Sequence, residues 1–134
     1  MSGGVGLTPM VSMLEAIVHA GHGRATWFIH GARNGRVHAM RDHIREKAQT
    51  GNVVVRTYYQ TPDASDVQGR DYDEAGLIDA EWIARNTPAR EATYYLCSPR
   101  PFLRAYVSGL ARNGTPLGHI RYEFFGPADE LLAA

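Results

Sequence analysis

Within SGGVGLTPM, Ser2 to Met10, three glycines fall at Gly3, Gly4 and Gly6, followed by Thr8-Pro9 and an apolar run. Glycine lets a backbone turn sharply and approach a ligand with no Cβ in the way. Thr8 predicts an N-cap and Pro9 a first helical residue. A helix opening there would aim free N–H groups at an anion, most naturally a pyrophosphate. The spacing is G-x-G-x-x-P rather than the dinucleotide fingerprint G-x-G-x-x-G, and an ordinary capped glycine turn fits it equally well. Cys97, the one cysteine, closes the apolar run ATYYLC. It is either a ligand-facing strand end or a small buried hydrophobe. Among the six histidines, His19 and His22 straddle a helix end and His38 and His43 are five apart. Neither pair has zinc-helix spacing, so no metal is expected.

The elements that must position these residues alternate along the chain. Met10, Met13, Leu14, Ile17 and Val18 form one helical stripe that ends at Gly21 and Gly23. ATWFIHG (25–31), NVVVRTYY (52–59), ATYYLC (92–97) and HIRYEFF (119–125) read as strands. A helix is predicted over 38–49, with Met40, Ile44 and Ala48 inward and Arg41, Arg45, Glu46 and Lys47 in water. The stretch 60–76 turns to Pro, Asp, Ser and Gly and reads as a long surface loop, and a short helix is expected over 79–85. Phe102, Leu103, Tyr106, Val107 and Leu110 give the last helix its inward stripe, with Gly114 as its stop. This alternation predicts an α/β layer around a parallel sheet, whose ligands bind beyond the carboxyl ends of the strands.

With 134 residues and 44% hydrophobic content the chain has the material for one core. Fourteen basic and fourteen acidic residues cancel, which argues against nucleic acid or an anionic membrane as partner. No apolar stretch reaches the roughly eighteen residues of a membrane span, and no secretory signal is visible. A lone cysteine excludes an internal disulfide framework and suits a reducing cytoplasm.

Taken together, SGGVGLTPM, HGARNGRVHAM (30–40), YYLCSPRPF (94–102) and YEFFGP (122–127) resemble the nicotinamide-binding domain of the ferredoxin reductase superfamily. More closely, they are similar to the C-terminal domain of flavohaemoglobins, the nitric oxide dioxygenases. The resemblance covers essentially the whole chain, and YEFFGP is its most specific part. It implies an NAD(P)-binding domain over 1–134 that passes hydride to FAD in a β-barrel domain, with haem in a globin domain, both outside this chain. It also implies that the chain starts just after the first, central strand of its sheet, leaving edges open to foreign pairing or dimerisation. Two alternatives stay beside this reading: the same module of a stand-alone flavin or ferredoxin-type reductase, and an inert truncated binding module.

By the same resemblance, Gly4, Val5, Gly6, Leu7, Thr8 and Pro9 make the dinucleotide loop, and Cys97 lies near the reacting nicotinamide. Ser98 stands where the family usually has glycine, and it could instead cap the following helix. Phe125 matches the aromatic that covers the flavin ring, and Glu123 the carboxylate near the flavin and haem edges. Core packing and a solvated strand position are the plain readings of these two. Arg33, Pro99, Phe102, Phe124, Gly126 and Pro127 complete the implied cofactor-binding set. Hydride is the cofactor's own chemistry, so no acid or base is required of the protein. NADH is expected in preference to NADPH, because Tyr59-Gln60-Thr61 offers no cation for a ribose phosphate and Asp63 and Asp66 add negative charge. Arg33, just after the second strand, points the other way.

Overall fold

Three apolar runs become strands covered on both faces over most of their length, with Val54 and Tyr95 left exposed, and amphipathic stripes become the helices that cover them. The computed structural model describes residues 1–3, 7–21 and 23–124. In chain order the elements are β1 (Ser2–Gly3), α1 (Leu7–Ala20), β2 (Thr26–Ala32), α2 (Arg41–Gln49), β3 (Val53–Tyr59), β4 (Glu74–Ala75), α3 (Ala80–Asn86), β5 (Tyr94–Ser98), α4 (Arg100–Arg112) and β6 (Ile120–Phe124). The strands form one sheet in the order β4-β3-β2-β1-β5-β6, every neighbouring pair parallel. Leu7, Val11 and Leu14 of α1 and Ile44 of α2 pack with Phe28 on one face. Ile83 of α3 and Leu103, Tyr106 and Leu110 of α4 pack with Ile29, Leu96 and Ile120 on the other. Burial on both faces is what parallel strands require, and it explains their continuous apolar runs.

The centre of the sheet corrects one expectation. A first strand is present, two residues long. Ser2 pairs with His30 and Gly3 with Gly31 on one side, and Ser2 with Cys97 on the other, while the Met1 carbonyl accepts the Cys97 N–H at 3.2 Å. β2 extends four residues further toward its N-terminal end than β1 follows it. There a cavity of about 510 Å³ opens, with Met10, Met13 and Ile17 of α1 among its walls. Four of the five stripe residues of α1, Met10, Met13, Leu14 and Ile17, line this space, and Val11, outside the stripe, is buried beside Leu14.

Two other local readings change. Met40 is 43% exposed and left-handed at φ 59, directly before α2, because the preceding residues 35–37 form a 3₁₀ turn. Arg41 is drawn from water by Asp71, 2.8 Å away. Asp71 also accepts from Arg70 and from the Val67 N–H, each at 2.8 Å. These bonds, that from Arg70 first, hold its carboxyl down at about 2. The long loop is thus pinned from within, and its Glu74–Ala75 adds an edge strand beside β3. Among the described residues no helix is long and apolar enough to cross a membrane.

Candidate functional site

The chain leaves β1 outward through β2 and β3, then crosses back to place β5 on the other side of β1. The crevice at the carboxyl ends of β1 and β5 is therefore the topological switch point, where open parallel sheets bind ligands. The helices that follow these two strands, α1 and α4, both begin there. Each is long enough to present a positive dipole end and unpaired N–H groups to an anion.

Close packing at this crevice starts with Gly3. A Cβ there would lie 2.9 Å from two ring carbons of Phe102 and 2.9 Å from Ser98 Oγ, closer than carbon tolerates. Glycine is needed here for approach. The Gly3 N–H donates to Ser98 Oγ at 3.1 Å, and the Ser98 hydroxyl donates back to the Gly3 carbonyl at 3.0 Å. Ser98 consequently does not cap α4. Its hydroxyl is spent on Gly3, and Pro99 takes the cap position with no side-chain bond. Phe102, in the first turn of α4, lies under the Gly3 backbone and packs at a 48° tilt against Tyr106, ring centroids 4.3 Å apart, whose hydroxyl donates to the Ile78 carbonyl at 2.6 Å.

Leu7 is buried at the start of α1, with Thr8 exposed and Pro9 half-buried in its first turn. Thr8 is thus inside the helix rather than its cap. Pro9 is tolerated because a first-turn N–H has no partner to lose. Cys97 is fully buried in β5, between Ser2 of β1 and Glu123 of β6. Burial, and then the Glu123 charge, push its thiol up, so it stays protonated and is no nucleophile. Glu123 is exposed on the edge strand. Arg33 is exposed just beyond β2, its carbonyl accepting the Thr61 N–H at 2.9 Å. Phe124 closes β6. Gly4, Val5, Gly6, Phe125, Gly126 and Pro127 lie outside the described residues.

One polar network escapes sequence reasoning. Ser2 Oγ meets His30 Nδ1 at 2.7 Å, both groups buried. The His30 ring stacks on His38 at 5.3 Å, and His38 Nδ1 meets the Tyr59 hydroxyl at 2.7 Å. Burial first, then the positive charge of neighbours, pushes both histidines down to about 4. They are neutral near pH 7 and tie the start of the glycine turn to β2 and β3. Only the apolar setting of His30 inside a strand run hinted at it.

The profile of the oxidoreductase NAD-binding domain family matches residues 1–108. The chain belongs to that family. Among relatives of this NAD-binding domain, a flavohemoprotein of Xylella fastidiosa is 46% identical over 136 residues, covering 100% of the chain and 33% of the relative. One from Rhodopirellula baltica is 42% identical over 134 residues, covering 99% and 33%. The chain thus spans about a third of the length of these curated relatives. The structure of a Malassezia yamatoensis flavohemoglobin with bound FAD and heme superposes with a TM-score of 0.78 at 25% identity, over 93% of this chain and 30% of that one. The flavohem-like FAD/NAD binding domain of a Vibrio cholerae nitric oxide dioxygenase gives 0.78 at 25% identity, over 94% and 49%. The fold is that of ferredoxin-reductase-type FAD/NAD-binding domains, with helices on both faces of a parallel sheet.

Proposed function

We propose that this NAD-binding domain is the electron-input module of a flavohaemoglobin-type nitric oxide dioxygenase. The observation that carries the reading is the convergence of Gly3, stitched to Ser98 and underlaid by Phe102, with the starts of α1 and α4 at the switch point. Such a crevice fits a pyrophosphate held by backbone N–H groups. Similarity to flavohemoproteins along the full chain supports the assignment to that parent.

On this reading the chain binds and orients NAD(P)H, with the glycine turn and Leu7, Thr8 and Pro9 at the pyrophosphate and Cys97 beside the nicotinamide. NADH supplies the hydride when bound, and the residues around it hold it in place and exclude water. Glu123, with Phe124 and Phe125, Gly126 and Pro127 after it, faces a flavin held by an adjoining FAD-binding domain. The haem belongs to a globin domain. The same proposal includes a cytoplasmic location and weak self-pairing along β6, whose Tyr122 is 60% exposed. By itself the 134-residue chain binds NADH and turns nothing over. Calorimetric titration with NADH, repeated on Gly3→Val, tests the site. Saturable binding lost in the variant is expected, and absence of binding to the parent chain overturns the reading. Stopped-flow mixing with a separately expressed FAD-binding domain tests electron input through NADH-dependent bleaching of the flavin.

A further inference from the structure

Beyond the turn that takes the pyrophosphate, the adenosine half of a dinucleotide reaches over the carboxyl end of the neighbouring strand, here β2. Two arginines stand there. Arg33 follows β2 directly, and no described residue pairs with its guanidinium. Arg36 sits three residues on, in the 3₁₀ turn of residues 35–37. Together they could hold the dianionic 2′-phosphate of NADPH.

The loop after β3 intervenes. Asp63 Oδ2 lies 2.5 Å from Arg36 Nε. That oxygen is buried and accepts no aligned hydrogen bond, so its negative charge is left to Arg36. Asp63 is itself held in place. Its Oδ1 accepts the Ala64 N–H at 2.8 Å, and its own N–H donates to Asp66 Oδ2 at 2.7 Å. Asp66 Oδ2 also accepts the Gly35 N–H at 3.1 Å, and Gly35 passes so close to Asp66 that a Cβ would collide with the carboxylate. Residues 63–66 are thus latched onto the turn after β2, and Arg36, its side chain 78% exposed, is paired with Asp63 at the surface of that latch.

Resting on the coenzyme reading above, we propose that Asp63 is the residue that makes this site select NADH over NADPH, by withholding Arg36 from the ribose 2′-phosphate. Discrimination then comes from an arginine that is present but already paired, with a carboxylate facing any second phosphate. The 2′-hydroxyl of NADH carries no charge and is indifferent to the pair.

The test uses the 134-residue chain and calorimetric affinities for NADH and NADPH. The parent chain binds NADH about tenfold more tightly. Asp63→Asn keeps the shape and the Oδ1 acceptor, and it raises NADPH affinity about tenfold while NADH affinity stays within about twofold. Adding Arg36→Gln to Asp63→Asn abolishes the gain. Arg36→Gln alone leaves NADPH binding as in the parent, because the Asp63 carboxylate still faces the second phosphate. An unchanged NADPH to NADH ratio in Asp63→Asn overturns the assignment, as does a gain that survives loss of Arg36. If the parent chain binds neither dinucleotide, the coenzyme reading itself falls and takes this one with it.

Discussion

The two ends of β1 lie a few residues apart and are built on opposite principles. At the carboxyl end, Gly3, Ser98 and Phe102 meet at distances that leave no room for a methyl group. At the amino end, the same gap between β2 and β5 widens into a cavity of about 510 Å³. Both ends have apolar helices above and below, so hydrophobicity does not separate them. At the carboxyl end β1 fills the layer and side chains from α4 close on it, whereas at the amino end Met10 and Met13 line the cavity. The crevice proposed above for a dinucleotide is the tightly packed end, and cavity volume alone does not point to it.

Truncations at the two ends should break this symmetry most visibly. Leu103→Ala, in the first turn of α4 and buried, should cost about 2–4 kcal/mol, because rigid neighbours cannot collapse into the hole. Met13→Ala removes a side chain that already borders a void, and should cost less than about 1 kcal/mol. Urea unfolding of both variants checks the contrast, and equal losses would mean that the cavity end is as tightly packed as the other.

Acid should act mainly on the carboxyl end, through His30 and His38. Their folded values of about 4 lie below the ordinary 6.5. As pH falls through this window the unfolded chain takes up protons that the folded chain refuses, so stability declines between about 6.5 and 4 and levels off below. The loss should be on the order of 3 kcal/mol for each histidine that keeps its folded value. Denaturation midpoints from pH 7 to 4 should show that slope, and replacing both histidines with Asn should flatten it.

Gly3→Val sharpens the comparison by overfilling the tight end. A cost of about 1–3 kcal/mol is expected, with NADH affinity reduced more than tenfold because the turn after Gly3 is displaced. Phe102→Ala in the same chain should restore part of the stability. The smallest expected effect is that of Ser98→Ala, about 1 kcal/mol for two hydrogen bonds exchanged with water, measured by the same unfolding experiment.

These features were unequally legible in the sequence. α1, β3 and α4 carry enough residues for a period to show, and their core positions Leu14, Leu103 and Leu110 follow from it. A two-residue strand has no period. β1 and β4 exist only because His30, Cys97 and Tyr58 lie beside them, which is tertiary information. Capping rules read the local chain, so they favour Thr8 as a cap and allow Ser98 as one, whereas Thr8 lies inside α1 and Ser98 is claimed by Gly3, distant in sequence. The Arg36–Asp63 pair and the His30–His38 stack join different loops and strands, so no spacing announces them. Among the described residues of the glycine turn, Gly3 is the glycine where a Cβ would meet Phe102 and Ser98.

The central place of β1 has one more consequence. β4-β3-β2 and β5-β6 are two smaller sheets joined through the main chain of Met1, Ser2 and Gly3. A displacement of Gly3 is therefore felt by β2 and β5 together, and a ligand held beside it, as proposed above, would bear on both at once.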